Sequence, residues 1–274
     1  MPPSRPSRAF AALFDAFVTF DAFDMIVFGI NAVAEALRAG RVRRIRVAGR
    51  DDDRLRRLLE AAAAGGVPVE HVPRDLLERE ARGGRHQGVV ADVAALPEAT
   101  LEDLSRPESG PALVVVLDGV EDPQNVGAIL RSVDAAGGTG VVRQTRRAAP
   151  LEGAAAKASA GAVHHVRVAD VVNIARALDE LKDLGLWIVG LDADSETPYH
   201  DLDLTTPIAL VVGAEGYGLR RLVRERCDFV AAIPMAGHVG SLNVSAATAV
   251  VLFEAVRQRH VKGSPTRGAA RTGG

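Results

Sequence analysis

Apolar residues along the chain fall into short unbroken runs and longer amphipathic stretches, separated by loops rich in glycine, proline and acidic residues. Leu113–Leu117 is a continuous run of leucine and valine, the mark of a strand covered on both faces of a parallel sheet. Strand-like runs recur at Gly140–Val142, Leu186–Val189 and Ile208–Val212, with helical stretches at Asn125–Ala136 and Val172–Leu184 between them. That alternation predicts a doubly wound α/β domain over residues 112–261, closed by an apolar helix running to Arg259.

The preceding residues, 25–94, predict a smaller α/β unit. Helical spacing over Asn31–Arg38 is broken by Gly40, and Arg44–Val47 reads as a strand. Asp51 offers an N-cap for a helix through Ala64, Gly65–Gly66 ends it, and Val67–His71 and Val89–Val93 are further strands. The proline- and acid-rich residues 95–111 read as a linker, and the Gly/Ser/Pro/Arg-rich residues 262–274 as a disordered tail. Residues 1–24 differ from the rest, with Phe10, Phe14, Phe17, Phe20 and Phe23 at helical spacing. They are either an amphipathic arm or an upstream extension with Met25 as the start. Asp15 and Asp21 interrupt the apolar stretch and argue against a secretory signal.

At 274 residues, the chain has room for one large domain or two modest ones. No apolar run has the roughly 20 residues needed to cross a bilayer. The lone cysteine, Cys227, excludes an internal disulfide and predicts a reducing, cytoplasmic setting. Lys plus Arg number 33 against 35 for Asp plus Glu, so a global basic field is absent and any nucleic acid must be held by a local patch. Arginines crowd two stretches: Arg38, Arg41, Arg43, Arg44, Arg46 and Arg50, then Arg143, Arg146 and Arg147. Such clusters serve either as phosphate contacts or as plain solvated faces. His164-His165 lacks partners at metal-ligand spacing, so no metal is expected.

Three segments follow one rule, with glycine and polar side chains appearing where a buried strand ends. Ligands sit there in parallel sheets. The first carries Asn125 and, six residues on, Arg131; the second is Gly213-Ala214-Glu215-Gly216-Tyr217-Gly218; the third runs from Ile233 through Met235, Ser241, Leu242 and Asn243 to Ser245. Asn125 and Ser241 each have a simpler reading as helix caps. The second segment departs from the dinucleotide fingerprint G-x-G-x-x-G, because Glu215 stands where the second glycine should be. Its carboxylate would repel a pyrophosphate.

N-V-G-x-I-x-R at 125–131, G-x-E-G-x-G at 213–218 and I-P-M-x-G-x-x-x-S-L-N-V-S at 233–245 together resemble the signature motifs of the SpoU-type RNA ribose 2′-O-methyltransferases, of the SPOUT class. F-G-I-N-A-V-x-E-A-L at 28–37 and H-Q-G at 86–88 resemble that family's small, ribosomal-protein-like RNA-binding domain. The resemblance spans nearly all of residues 25–261. With S-A-G-A at 159–162, it is nearest the bacterial 23S rRNA guanosine-2′-O-methyltransferases.

The resemblance implies S-adenosylmethionine as methyl donor, an RNA substrate, a homodimer and a C-terminal trefoil knot. Alternative substrates are tRNA or an rRNA adenosine, and a non-catalytic ribosome-assembly factor is the alternative of another class. Arg131 is implied as the catalytic residue. A guanidinium is a poor base, so it is expected to grip the target phosphate and 2′-oxygen. Asn125, Ser241 and Asn243 would orient it, and Glu215 would pair with it or accept from the substrate. Gly213, Gly218, Ile233, Met235 and Leu242 are implied to hold the cofactor. Arg43, Arg44, Arg46, Arg85 and Gln87 are the candidate RNA contacts.

Overall fold

The protein is described by a computed structural model over residues 24–263, apart from 50, 51, 82, 95–97, 147 and 152. Asp51, Arg50 and Arg147, the extension before residue 24 and the tail beyond 263 therefore lie outside the described residues. Two sheets organise the chain. The first is four-stranded, built from β1 (Asp24–Phe28), β2 (Val42–Val47), β3 (Val69–His71) and β4 (Val89–Ala94) in the order β1-β4-β2-β3. β4 runs antiparallel to both its neighbours, whereas β2 and β3 are parallel. Helices α1 (Ile30–Arg38) and α2 (Asp53–Ala64) cover one face. A short helix the sequence did not announce, α3 (Arg74–Glu80), seats Leu77 against Ala48 and Val90 in a smaller satellite cluster. Asp52 caps α2, its carboxylate accepting from the Arg54 backbone amide.

The second sheet has six strands, all parallel: β5 (Leu113–Asp118), β6 (Gly140–Gln144), β7 (Val168–Val171), β8 (Trp187–Leu191), β9 (Ile208–Gly213) and β10 (Phe229–Ala231), in the order β10-β8-β9-β5-β6-β7. Alternation along β5 divides the core. Leu113, Val115 and Leu117 join the layer beneath α5 (Pro123–Ala135) and α9 (Val244–Gly263). Val114 and Val116 point the other way, into the layer beneath α7 (Ile174–Asp183) and α8 (Arg221–Arg224). Helices on both faces make this a doubly wound α/β domain.

The segment read as a linker carries structure. Thr100 and Asp103 form a capping box for α4 (Leu101–Ser105), whose Leu101 and Leu104 are buried in that second layer. Its polar residues are caps and exposed positions around two apolar anchors, so composition alone hid the helix. The last helix extends to Gly263, into the stretch read as tail.

The two sheets are latched through α1. Arg41, just beyond it, donates from Nη1 to His164 Nδ1 at 3.0 Å and from Nη2 to the carbonyl of Ala94. Gly161, at φ +97°, lies so close to Glu35 of α1 that a Cβ would strike that side chain. Gly127 of α5 is in turn packed on α6 (Ala154–Ala158), with no space for a Cβ against the Ala155 carbonyl. His164 is buried, and burial first, then the charges of Arg41 and His165, push its pKa down to about 4, with Glu35 opposing. The unfolded chain thus binds a proton near the ordinary value of 6.5, which the folded protein refuses until about 4. Stability from this group is complete above 6.5 and declines as pH falls between those values. His164→Gln keeps an acceptor for Arg41 without a titrating ring. The variant is expected to lose less urea stability than the native protein between about pH 7.5 and about pH 5; equal losses would contradict the latch chemistry.

Candidate active site

The carboxyl ends of β5 and β9 are adjacent, with Asp118 paired in register to Gly213. Each strand delivers one of the polar loops to the same edge of the sheet. After β9 the chain turns tightly. Ala214 and Gly218 form a bridge, the Gly218 amide donates to the Ala214 carbonyl at 3.0 Å, and a Cβ on Gly213 would run into the Gly218 carbonyl. Gly216 and Gly218 take positive φ, at +81° and +62°. The glycines thus fold this loop back on its own strand and present Glu215 sideways.

Glu215 Oε1 accepts from Asn125 Nδ2 at 2.8 Å and from Asn243 Nδ2 at 2.7 Å. Asn243 Nδ2 also approaches Asn125 Oδ1 at 3.0 Å, and Asn243 Oδ1 accepts from the Ser245 amide at 2.9 Å, capping α9. Asn125 is buried, and its amide reaches Asp122, the residue that caps α5 through the Gln124 amide. Asn125 therefore lies inside α5 rather than at its cap. One carboxylate ties together loops far apart in sequence.

Beside this junction lies a cavity of about 610 Å³, bounded by the ends of β8 and β9 and the segment leading into α9. It is lined by all five expected cofactor residues, Gly213, Gly218, Ile233, Met235 and Leu242, and by Glu215 and Ser241. Apolar walls and a few convergent polar groups are what a mid-sized ligand needs. Two expected contacts are absent. Glu215 is held by the two amides rather than by Arg131. Arg131 is exposed on α5 and makes no hydrogen bond or ion pair among the described residues, so Asn125, Ser241 and Asn243 do not orient it within one chain. Six residues separate it from Asn125, which turns the two side chains to different sides of the helix.

A pair to which the sequence assigned no role stands under the site. Asp118, wholly buried at the end of β5, accepts from the Arg220 backbone amide at 2.8 Å and from its Nε at 2.6 Å, while Arg220 Nη2 reaches Gln144 at 3.1 Å. The available signal was a carboxylate closing an otherwise apolar strand. Cys227 is a half-buried thiol whose Sγ donates to the Val223 carbonyl, and burial pushes its pKa up to about 12.

The expected RNA contacts divide. Arg46 is buried in ion pairs with Asp92 and Glu80, and Arg44 is bound by Asp92 and reaches Glu70. Both guanidiniums are engaged by carboxylates in ion pairs, which leaves them little for a phosphate. Arg43 is exposed. Arg85 is exposed at a cleft beside α1, and Gln87, at φ +51°, accepts from the Ile30 amide through Oε1. Arg143 is spent on Asp170 and the Ala149 carbonyl. Among the described residues, no group of three or more His, Cys, Asp or Glu side chains is arranged to hold a metal.

An open parallel sheet with a ligand cavity beyond its strand ends defines a ligand-binding domain of the doubly wound α/β class. The profile of the SpoU rRNA Methylase family matches residues 112–253, and that of RNA 2′-O ribose methyltransferase substrate binding matches residues 26–99. The chain belongs to the SpoU rRNA methylase family. It is 45% identical over 242 residues to the 23S rRNA (guanosine-2′-O-)-methyltransferase RlmB of Pseudomonas putida, covering 86% of this chain and 97% of that one. It is 46% identical over 242 residues to an uncharacterized tRNA/rRNA methyltransferase of Mycolicibacterium gilvum, over 86% of this chain and 77% of that one. The crystal structure of the SpoU methyltransferase AviRb from Streptomyces viridochromogenes, in complex with the cofactor AdoMet, is similar with a TM-score of 0.73 and 28% identity over 93% of this chain and 94% of that one.

Replacing Asp118 with alanine frees the Arg220 guanidinium to reach water but orphans its backbone amide. The expected cost is about 2 kcal/mol in equilibrium urea unfolding. A loss below about 0.5 kcal/mol, the range of ordinary surface changes, would show that the pair does not hold the loop.

Proposed function

We propose that the protein transfers a methyl group from S-adenosylmethionine to the ribose 2′-hydroxyl of a guanosine in 23S rRNA. The observation that carries this reading is the meeting of Asn125, in the first turn of α5, with Glu215 and Asn243 from two separate loops, beside the 610 Å³ cavity that Glu215 lines. The cavity suits the methyl donor. Gly213 lets its loop fold back onto the Gly218 backbone at the cavity edge, Ile233 and Leu242 give dry walls for a purine, and Met235 and Gly218 complete the lining.

S-adenosylmethionine supplies an electrophilic methyl on its sulfonium. The protein's task is to hold the ribose oxygen in line and to stabilise negative charge growing there. Arg131 is the residue assigned to that oxygen and to the neighbouring phosphate. Its fork of donors makes no hydrogen bond or ion pair among the described residues, and its charge lowers the cost of alkoxide character. Asn125 and Asn243 act as positioning residues by fixing Glu215, and Ser241 stands where a hydroxyl can reach the nucleotide. Glu215, with one carboxylate oxygen engaged by the amides, keeps lone pairs for a substrate hydroxyl or amine. No metal has a role in this scheme.

Residues 25–94 act as the RNA-binding domain, with Arg43, Arg85 and Gln87 as its remaining candidate contacts, and residues 112–261 as the methyltransferase domain. Beyond β9 the chain threads as a trefoil knot, one of the rare exceptions to unknotted topology. Two copies pair through α9, where Phe253 is 48% exposed, and the pairing brings each Arg131 to a complete site. An rRNA substrate implies a cytoplasmic setting.

Incubation of the purified protein with tritiated S-adenosylmethionine and separate rRNA and tRNA fractions tests the reading. Label is expected in 23S rRNA, at a guanosine whose ribose resists alkaline cleavage. Label in tRNA, at an adenosine, or nowhere would overturn it. Arg131→Ala is expected to slow methylation by roughly 10²–10³-fold, the usual cost of one oxyanion donor, with cofactor affinity retained.

A further inference from the structure

We infer that Tyr217 is a further substrate-contacting residue of the reaction, its ring the platform on which the base of the target nucleotide stacks while the ribose reaches the site. The inference rests on the RNA-methyltransferase reading above and specifies how the site takes hold of its nucleotide.

Tyr217 stands in the tight turn after β9, between Gly216 and Gly218. Both glycines take positive φ, and the Gly218 amide donates to the Ala214 carbonyl, so the turn is closed on itself and its tip is held in place. Such turns favour small polar residues, which hydrate well and lose little on folding. The tyrosine ring is instead 91% exposed and, among the described residues, makes no hydrogen bond or ring contact. Folding gains nothing from it. Nor is it a scattered surface group, since it lines the 610 Å³ cavity together with Leu242, which is 39% exposed on the segment leading into α9. An amphipathic ring left in water at the edge of a ligand site is a binding group.

The ring belongs to the substrate side of that cavity. Dry walls for the methyl donor's purine already come from Leu242 and from Ile233, which packs on the domain core. A ring folded over the same space would be shielded by those walls, whereas Tyr217 projects from the rim toward what arrives from solvent. Two residues of backbone, at most about 7 Å, separate it from Glu215, whose carboxylate is fixed by Asn125 and Asn243. The base of a nucleotide is carried on the sugar carbon next to the one bearing the 2′-hydroxyl. A base resting on Tyr217 therefore brings its own ribose to the junction. Only an unstacked base offers its face, which selects a nucleotide splayed from a loop or single strand. Stacking tolerates any base, so Tyr217 supplies grip and orientation and leaves the choice of base to hydrogen bonds.

Kinetics and photo-cross-linking of the full chain test the inference. With 23S rRNA transcribed in vitro and tritiated S-adenosylmethionine, Tyr217→Ala is expected to lower kcat/KM for RNA at least about fivefold, the low end of what one lost base–aromatic stack costs. Affinity for S-adenosylmethionine, measured by equilibrium dialysis, is expected to stay native. Tyr217→Phe is expected to keep native kcat/KM, because the ring and not the hydroxyl makes the contact. A single-stranded oligoribonucleotide substituted with 5-iodouridine, which photo-cross-links to aromatic rings stacked on it, is expected to form an adduct at Tyr217. Native kcat/KM in Tyr217→Ala overturns the inference, as does an equal loss in Tyr217→Phe or the absence of the adduct. A matching loss of cofactor affinity in Tyr217→Ala also overturns it, because the ring would then be a cover for the methyl donor. The methyltransferase reading fails separately, when native protein forms the adduct yet labels no 23S rRNA.

Discussion

One carboxylate oxygen organises the site. Glu215 sits 90 residues from Asn125 and 28 from Asn243, yet both amides converge on its Oε1. Ordering three loops costs backbone entropy of roughly 1–2 kcal/mol for each residue fixed, which no single neutral hydrogen bond offsets. A charged acceptor shared by two amides contributes more, and the loops arrive already restrained. Asn125 is inside α5, Asn243 caps α9, and the Gly213–Gly218 contact folds the intervening turn flat. The junction therefore closes a site whose parts are each positioned locally, and its geometry is set before any ligand enters.

The sheet beneath supplies that local positioning. β5 is central, its side chains feed both core layers, and Asp118 at its end anchors Arg220 across the loop after β9. Backbone contacts carry the arrangement outward. Gly127 lets α5 lie directly on α6, and Gly161 lets α1 of the small domain lie on the turn that follows. A side chain at either position would push apart elements that bear on the site. The cavity at the start of α1 and the Arg41–His164 latch just beyond its end bracket one nine-residue helix, which fixes the distance between them.

The sequence revealed what is periodic or local and hid what depends on distant partners. Leu113–Leu117 declared itself a buried strand because parallel strands covered on both faces are uniformly apolar. The three polar segments were visible because they follow such strands. Caps were misplaced by one residue at α2 and by three at α5, since Asp51, Asp52, Asp122 and Asn125 are all plausible cap residues and the backbone chooses among them. β10 and α4 are too short to show a period. Arg44 and Arg46 looked available because their carboxylate Asp92 lies 48 and 46 residues away, and nothing in an arginine-rich run announces its counter-ion.

Arg131 is the instructive remainder. Six helical residues past Asn125 amount to a rise of about 9 Å and a rotation of about 240° net of a full turn. When Asn125 faces inward to Glu215, Arg131 must face elsewhere, and it is exposed. An exposed guanidinium on this helix is consistent with the role proposed for it. Its helix is pinned at one end by the Asn125 and Asp122 contacts and along its length by Gly127, so the side chain is free while its base is not. In the proposed scheme this group meets its anionic partner when RNA or a second protomer approaches, and as an exposed group its charge is otherwise hydrated. In that scheme, stabilising the charge that develops on the 2′-oxygen falls to the encounter, which would make the reaction conditional on the correct strand being seated.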